Sequence, residues 1–507
     1  MRKLDVLLIN PGDRSQIYQN LGDEFSAIEP PSMAALIATY LRSGGLSVEI
    51  IDQPALGMPA HVVAAEAVAR DALLTVLVVY GFQPSASTQT MPAAGAIAQH
   101  MNEIDPTRKI MMMGTHPAAL PLRTLQEEAI DFVCIGEGPR EIASLVTVLK
   151  AGGTNFDGIA GVWYKIGGVI YRNPSAPLIE TLDYKMRGAA WDLLPMEKYR
   201  AHNWHAFEHI NKRQPYASIH TTLGCPYRCS FCCINAPFGK PSYRMWSPST
   251  IGAEIQKLVD LYGVRNIKFV DEMFVLNKSH VLGVCEEITK RGLGEHINIW
   301  AYARIDTVRP EFLEPLRAAG FRWLALGIES GSKHVRDGSE KNLKSEDIIG
   351  VVRQIQTAGI NVIGNYIFGL PDDTMDTMRE TLDLALEANC EFANFYSAMA
   401  YPGSKLYDMA RKNDWSLPEN WSGYSQHSFD TTPLPTETLT SAEVLWFRDM
   451  AFRAYFTNPT YQAMVEKKFG SEVVAHLMRM LAQPLPRKLV GQQNLGSEIL
   501  ELERNFQ

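Results

Sequence analysis

Residues 216–233 read YASIHTTLGCPYRCSFCC, an apolar, strand-like run that leads directly into a cysteine-rich loop. Cys225, Cys229 and Cys232 stand in a C-x3-C-x2-C spacing. Cysteine thiolates are the ligands of iron–sulfur clusters, and a cubane contains four irons. Three cysteines in one loop can hold three irons and leave the fourth open to chelate a substrate through an amine and a carboxylate. The loop therefore predicts a [4Fe–4S] cluster.

A structural zinc site is the main alternative for this loop. Such sites usually close with a fourth Cys or His at knuckle spacing. Cys233 is available, but adjacent residues rarely ligate one metal in good geometry, so we predict that Cys233 is a packed neighbour. Cys134, Cys285 and Cys390 lie in strand or helix patterns and are expected in the core. The number of cysteines is odd, four of them are clustered, and the chain has no recognisable signal peptide. This pattern indicates metal ligation in a reducing cytoplasm.

Strands and helices alternate around the cysteine loop, over residues 216–410. The helices are long and amphipathic, as at 248–262 and 345–358. Six strands are expected, at 216–222, 266–270, 298–303, 323–327, 361–368 and 394–400. Six β-α units suit a partial parallel barrel, about three quarters of a (β/α)8 barrel, whose chemistry lies at the carboxyl ends of the strands. The cysteine loop follows the first strand and is placed at that end.

Residues 1–145 show a second alternation, with strands expected at 5–10, 48–52, 75–80, 109–113 and 131–135. Five such units predict an open, doubly wound parallel sheet, so the fold class is α/β. A ligand of such a sheet lies at the carboxyl ends of the strands, where the strand order reverses. The candidate lining is formed by the loops at 10–12, 81–83 and 114–117.

The remaining segments are predicted as a connector and a helical end. Residues 146–215 read as the connector, with a hairpin expected from 160–165 and 168–173. Residues 411–507 are predicted to form a C-terminal helical domain, with helices at 441–456, 460–469 and 471–482. Its aromatic residues either line a substrate pocket or pack in the core, and these residues are Trp446, Phe447, Phe452, Tyr455 and Phe456.

Composition narrows the class of partner. The net charge of −8 and the pI near 5.9 argue against a surface built for nucleic acid. No run of about 20 apolar residues occurs, so no membrane span is predicted. The chain starts directly with a strand-like segment, without a recognisable signal peptide. We therefore expect a cytoplasmic protein.

The cysteine loop resembles the signature of the radical S-adenosylmethionine superfamily, including the aromatic Phe231 before the last cysteine. Five further motifs occur in the order of that family: VDEMF at 270–274, ARID at 303–306, GIESGS at 327–332, IFGLP at 367–371 and YPGS at 401–404. The N-terminal domain joined to such a barrel resembles the cobalamin-binding subgroup. Its matching stretches are NP at 10–11, PPSMAAL at 30–36, GTHP at 114–117 and GEG at 136–138.

The resemblance implies roles for residues of the barrel. Cys225, Cys229 and Cys232 would bind the [4Fe–4S] cluster. Glu329 resembles the carboxylate near the ribose or amino group of S-adenosylmethionine, with a helix-capping acid as the alternative. Arg304 either pairs with the methionine carboxylate or forms a structural salt bridge.

The resemblance also implies a cobalamin site on the first domain, lined by Asn10, Pro11, Gly114, Thr115 and His116. The D-x-H-x-x-G motif that supplies an axial histidine in other cobalamin proteins is absent after the first strand. His116 lies on a different loop, where a hydrogen-bonded surface histidine is the alternative to a cobalt ligand. A domain that binds no corrinoid, or another flat ligand, remains open at this point.

The activity implied is reductive cleavage of S-adenosylmethionine to a 5′-deoxyadenosyl radical. Methyl transfer from cobalamin to an unactivated carbon of a small or medium-sized substrate is the leading hypothesis. A non-methylating cyclisation or rearrangement is the first alternative, and a non-catalytic corrinoid-binding regulator is the second. A methylthiotransferase would need three further cluster cysteines in the first domain, where only Cys134 occurs. The family expectation for the electron donor is a flavodoxin or a ferredoxin.

Overall fold

A computed structural model describes residues 4–81, 83, 85–341 and 347–491. The first sheet forms from short, almost completely buried runs of aliphatic residues. Its strands are β1 (Val6–Asn10), β2 (Val48–Asp52), β3 (Leu74–Val78), β4 (Ile110–Met113), β5 (Phe132–Cys134), β6 (Val162–Ile166) and β7 (Val169–Arg172). They lie in the order β2-β1-β3-β4-β5-β6-β7, with the first five parallel. The strand order therefore reverses between β1 and β3.

Helices cover both faces of this sheet and connect its parallel strands. They are α1 (Arg14–Tyr18), α2 (Leu21–Glu24), α3 (Ser32–Ser43), α4 (Gln53–Leu56), α5 (Ala60–Ala69), α6 (Ala86–Ile104), α7 (Thr115–Ala119), α8 (Pro121–Glu127) and α9 (Pro139–Lys150). One face packs α3 and α9 through residues such as Ile37 and Leu145, and the other packs α5 and α6 through Val63 and Ile97.

The second sheet is the curved wall of a partial barrel. Its strands are β8 (Tyr216–Ile219), β11 (Asn266–Phe269), β12 (Asn298–Arg304), β13 (Phe321–Glu329), β14 (Asn361–Phe368) and β15 (Phe392–Ser397), with the short pair β9 (Thr222–Leu223) and β10 (Arg244–Met245) beside it. The order is β15-β14-β13-β12-β11-β8, and all six strands are parallel. The barrel is therefore open between β8 and β15.

Further helices form the outside of the barrel and the C-terminal region. They are α10 (Leu182–Lys185) in the connector, α11 (Pro248–Tyr262), α12 (Lys278–Lys290), α13 (Pro310–Ala318), α14 (Lys333–Gly338), α15 (Ile348–Thr357), α16 (Met375–Ala388) and α17 (Lys405–Lys412) around the barrel, and α18 (Ser441–Thr457), α19 (Pro459–Phe469), α20 (Ser471–Leu481) and α21 (Lys488–Gly491) at the end. Short 3-10 turns occur at Trp191–Leu193, Met196–Lys198, Trp204–His209, Ala236–Phe238 and Trp421–Tyr424.

The open side of the barrel is covered by the first domain, the connector and the C-terminal helices. Lys268 of β11 donates from Nζ to Glu29 of the first domain at 2.9 Å. Arg448 of α18 donates from Nε to the carbonyl of Phe395 in β15 at 2.7 Å. These contacts enclose the barrel interior and leave cavities along its open edge.

The predicted fold class is confirmed, with a doubly wound first domain, a partial barrel and a C-terminal helical region. One assignment was wrong, because the hairpin β6–β7 does not lie in a free connector. β6 pairs antiparallel with β5, for example Phe132 with Tyr164, and extends the first sheet to seven strands. The predicted helix at 345–358 is observed as α15, and its predicted first two residues lie outside the described ones. Within the described ranges, no helix is long and apolar enough to cross a membrane.

Candidate active site

The cysteine loop begins at a glycine that the chain geometry requires. Gly224 follows β9 with φ +84°, and a Cβ there would lie 2.5 Å from the Ser242 Oγ. A side chain at this position would therefore be strained and would collide with its neighbour. The turn directs Cys225, Cys229 and Cys232 into one cavity of about 250 Å3 at the carboxyl ends of the barrel strands, called here the cysteine cavity.

Backbone hydrogen bonds hold the middle of the loop in place. Ser230 donates its N–H to the carbonyl of Ser339 at 3.1 Å, and its own carbonyl accepts from the N–H of Leu406 at 2.8 Å. Phe231 lines the cysteine cavity and packs against apolar side chains that include Leu406 and Leu370. The loop is thus clamped between the segment after α14 and the start of α17.

Burial controls the protonation of the three thiols. It raises the pKa of Cys225 to about 12 and that of Cys232 well above its usual value. Burial also raises the pKa of Cys229, although Lys341 and Arg304 lower it in part. Metal ligation requires the thiolate, so positive neighbours of this kind favour an anionic cluster in the cavity.

Arg304 is engaged with the cysteine loop and with its own strand end. Its Nε donates to Asp306 at 2.9 Å, its Nη2 donates to the carbonyl of Lys341 at 2.6 Å, and its Nη1 lies 3.8 Å from the Cys229 sulfur. The guanidinium carbon also lies 4.1 Å from the centre of the Tyr227 ring. Arg304 therefore lines the cysteine cavity and also forms a salt bridge, so it has both of the environments that were predicted as alternatives.

Glu329 ends β13 and projects into the cysteine cavity. Its φ is +68°, and the pairing of β13 with β14 shifts register between Gly327 and Glu329. Its carboxylate accepts a hydrogen bond from Lys341 Nζ at 2.6 Å, and both side chains are buried. Lys341 was not found by sequence reasoning, because it lies in an irregular segment with no motif or period.

Two acidic residues of the VDEMF motif have different roles, because one holds two strands together and the other lines the cysteine cavity. Asp271 accepts hydrogen bonds from the N–H groups of Thr221 and Thr222, at 2.6 and 3.1 Å, and so ties the end of β8 to the end of β11. Glu272 lines the cysteine cavity, and burial raises its pKa to about 7.

A second cavity lies between the first domain and the barrel and is called here the domain cleft. It has a volume of about 60 Å3 and is lined by Tyr80, Gly81 and Thr115 of the first domain and by His220 and Thr222 of the barrel, among others. The hydroxyl of Tyr80 is buried and has no hydrogen-bond partner among the described residues. Buried polar groups are normally paired, so this hydroxyl can bind a polar ligand.

The loop at 114–117 is shaped by Gly114. Its φ is +138°, and a Cβ there would lie 2.0 Å from the carbonyl oxygen of Val79. Glycine thus lets the end of β4 lie directly against the end of β3, which brings Thr115 to the domain cleft. Phe82, in the neighbouring loop, lies outside the described residues.

His116 faces the interior of the first domain. It is only 1% exposed, its Nδ1 lies 3.2 Å from Thr88 Oγ1, and its ring centre lies 4.4 Å from that of Trp421. Burial lowers its pKa to about 3, so the imidazole is neutral. The histidine is thus hydrogen-bonded as in the alternative to a cobalt ligand, but the expected surface position was wrong, because the ring is buried.

The β1 loop is tied to its own domain. Asn10 donates from Nδ2 to Asp52 at 2.8 Å, and Gly12, after Pro11, donates its N–H to Gln53 at 2.9 Å. The assignment of Asn10 and Pro11 to a cofactor stays a prediction. Burial raises the pKa of Asp52 to about 6.

A third cavity of about 340 Å3 lies along the open edge of the barrel and is called here the lateral chamber. The lining of the lateral chamber includes Phe452, whereas Trp446, Phe447, Tyr455 and Phe456 belong to the hydrophobic core. The lateral chamber and the cysteine cavity share six lining residues: Gln83, Ser85, Tyr302, Tyr396, Tyr401 and Gln426. Gln83 also lines the domain cleft, so the three cavities meet at this residue.

Family models match the two regions of the chain separately. The model of the radical SAM superfamily matches residues 219–385, and that of the B12 binding domain matches residues 20–146. The partial barrel and its cysteine cavity are therefore those of a radical SAM enzyme. More particularly, the chain joins a radical SAM domain to a B12 binding domain, which is the combination found in the cobalamin-binding subgroup of the radical SAM superfamily. The cofactors of this subgroup are a [4Fe–4S] cluster, S-adenosylmethionine and cobalamin.

Similar proteins align with most of the chain. An uncharacterized methyltransferase of Pyrococcus horikoshii is 28% identical over 431 residues, which cover 84% of this chain and 87% of that protein. The anaerobic magnesium-protoporphyrin IX monomethyl ester cyclase of Rubrivivax gelatinosus is 27% identical and covers 90% of this chain, with 78% of its own length. The structure of the radical S-adenosylmethionine methyltransferase TsrM from Kitasatospora setae, with cobalamin and a [4Fe–4S] cluster bound, has a TM-score of 0.69 at 18% identity, covering 91% of this chain and 90% of that one.

Proposed function

We propose that this enzyme is a cobalamin-dependent methyltransferase that methylates an unactivated carbon of a small or medium-sized substrate. The observation that carries the proposal is the junction of the three cavities at Gln83, between the thiols, the cleft of the B12-binding domain and the lateral chamber. When bound, the cluster with S-adenosylmethionine supplies a hydrogen-abstracting carbon radical, and methylcobalamin supplies a methyl group.

In this proposal the cysteine loop holds the cluster through Cys225, Cys229 and Cys232. Each cysteine of a cubane binds a different iron, so the three sulfur atoms need not converge on one point. Among the described residues, no group of three His, Cys, Asp or Glu side chains could hold a single metal ion. Lys341 and Arg304 supply positive charge beside the thiols, and Glu329 is placed to accept hydrogen bonds from S-adenosylmethionine.

Two tyrosines stand where the cysteine cavity meets the lateral chamber. Burial raises the pKa values of Tyr302 and Tyr396 well above that of a free phenol. Both side chains therefore keep their protons near neutral pH and can donate hydrogen bonds to a substrate. Because both phenols keep their protons near neutral pH, neither can act as a base. The proposed hydrogen abstraction therefore does not depend on an ionised tyrosine.

The similar proteins support two readings of the reaction. The relative from Pyrococcus horikoshii is named a methyltransferase, and its alignment covers 84% of this chain. The relative from Rubrivivax gelatinosus is named a cyclase, and its alignment covers 90%. A non-methylating cyclisation is therefore the second candidate.

Anaerobic reconstitution tests the proposal. The protein is loaded with iron, sulfide and hydroxocobalamin, reduced with dithionite, and incubated with S-adenosylmethionine and extracts of candidate substrates. We expect cluster absorption, a retained corrinoid, 5′-deoxyadenosine, S-adenosylhomocysteine and a methylated product. Formation of 5′-deoxyadenosine without S-adenosylhomocysteine or any methylated compound would reject methyl transfer and favour the cyclase reading.

A further inference from the structure

The lateral chamber has the size of a small-molecule site. Its volume of about 340 Å3 lies in the range of roughly 300–1,000 Å3 that is usual for such sites. The chamber is lined by residues of the first domain, the connector, the barrel, α18, and α20 with the segment after it. Segments that are distant in sequence therefore build one wall.

Part of this wall is aromatic. Phe25, Trp204, Trp300, Phe392 and Phe395 line the chamber, and all five are buried. Trp204 lies edge-on to Trp300, with ring centres 5.1 Å apart, and its centre lies 6.0 Å from that of Phe392. Such a surface favours an apolar and preferably flat body, because aromatic rings bury large areas and pair with other rings.

One group of charged residues in the lining is balanced. The Glu29 carboxylate accepts from Lys268 Nζ at 2.9 Å and lies 3.5 Å from His202 Nε2. Burial opposes ionisation of Glu29, but Lys268 and His202 outweigh it and hold the pKa of this carboxyl below its usual value. This group therefore carries one positive and one negative charge and needs no ionic ligand.

A second group of charged residues in the lining has positive charge in excess. Asp449 accepts from Arg448 Nη1 at 2.7 Å and from Arg487 Nε at 3.0 Å, so one carboxylate serves two buried guanidinium groups. The Nη2 of Arg448 makes no hydrogen bond within the described part of the chain. Arg453, an exposed residue of α18, also lines the chamber and forms no ion pair with a described residue.

The neighbouring histidine does not change this charge balance. His427 also lines the chamber, and its buried Nδ1 has no hydrogen-bond partner among the described residues. Burial, with Arg448 and Arg487, lowers its pKa well below the usual value, so its ring is neutral. A buried charge without a counter-charge is costly, and a ligand that supplies the counter-charge removes that cost.

We propose that the lateral chamber binds the substrate and that this substrate is a small organic anion, with an apolar, unsaturated body along the aromatic wall and a carboxylate or phosphate at Arg448 and Arg453. This inference rests on the proposed function only in calling the ligand the substrate. The chamber, its aromatic wall and its excess positive charge are independent of the reaction.

Calorimetric titration of the cofactor-loaded protein with three matched probes tests the inference. The probes are 1-naphthaleneacetate, 1-naphthyl phosphate and the neutral 1-naphthaleneacetamide. We expect at least one anion to bind about tenfold or more tightly than the amide, which corresponds to about 1.4 kcal/mol. The tighter anion identifies the acidic group. Equal affinities, a preference for the amide, or no measurable binding of either anion would overturn the inference.

Two variants test which arginine side chains cause the preference for the anionic probe over the amide. Arg453→Gln should reduce the preference of the tighter anion over the amide by at least threefold, and Arg448→Lys provides a conservative second change at the buried position. Arg411→Gln is the matched control, because Arg411 is an exposed arginine on α17 outside the chamber. A preference that both chamber variants retain would overturn the assignment. Product assays on the same preparation report separately on methyl transfer, so each proposal can fail alone.

Discussion

Lys341 Nζ lies 2.6 Å from Glu329 Oε1, and this buried ion pair joins the end of β13 to a segment beside the cysteine loop. The two side chains are only 6% and 10% exposed. Removal of one partner from such a pair leaves an uncompensated charge in a poorly solvated site. The pair therefore links the stability of the barrel to the wall of the cysteine cavity.

Lys341→Met should lower the free energy of unfolding by about 3–5 kcal/mol, because it strands the Glu329 carboxylate. Combination with Glu329→Gln should restore part of this loss, as measured by chemical denaturation in a double-mutant cycle. Lys405→Met is the control, because Lys405 and Glu340 form an exposed pair that contributes at most about 1 kcal/mol. Equal losses in Lys341→Met and Lys405→Met would contradict the prediction.

Two adjacent cysteines should differ in their effect on the cluster. Cys232→Ala should abolish the iron–sulfur absorption of the reconstituted protein, because Cys232 is a proposed iron ligand. Cys233→Ala should retain iron and absorption, because Cys233 is a buried neighbour that packs near Gly403. Iron and sulfide analysis checks both variants. Loss of iron in Cys233→Ala alone would reverse the assignment.

His116→Ala should leave the cobalt environment unchanged, because the imidazole faces Thr88 and Trp421. The electron paramagnetic resonance spectra of cob(II)alamin bound to the wild type and to the variant should superimpose. Loss of nitrogen splitting in the variant would show that His116 moves to the cobalt on binding. The truncation also removes packing, so a lowered thermal midpoint is expected and does not bear on ligation.

Asp52→Asn should stabilise the protein above neutral pH. Burial raises the folded pKa of Asp52 to about 6 from 3.8, so this group favours the folded state below the unfolded pKa and loses that contribution as the pH rises through the folded value. Asparagine avoids the buried charge and keeps one acceptor oxygen for Tyr199, while the Asn10 amide loses its acceptor, a cost that is the same at every pH.

We expect a gain of about 1–3 kcal/mol near pH 8 and a smaller gain near pH 5, from urea unfolding at both values. Asp71→Asn, at a side chain that is 56% exposed, serves as the control and should show no such pH dependence. A gain of equal size at both pH values would indicate that ionisation of Asp52 is not its cause.

Several features of the fold and of the site follow from local sequence pattern. The spacing of Cys225, Cys229 and Cys232 and the alternation of strands and helices need only short-range geometry, and they predicted the partial barrel and the loop at its mouth. The predicted strands at 48–52 and 361–368 coincide with β2 (Val48–Asp52) and β14 (Asn361–Phe368).

Contacts between segments that are distant in sequence could be identified only from the tertiary structure. It joined the β6–β7 hairpin to the first sheet, turned His116 toward Trp421, and placed Lys341 against Glu329. Residues 448 and 487 share one carboxylate at the lateral chamber only because the C-terminal segment packs along the open side of the barrel. Such pairings depend on how whole elements pack, and no periodicity or motif in one stretch of sequence encodes them.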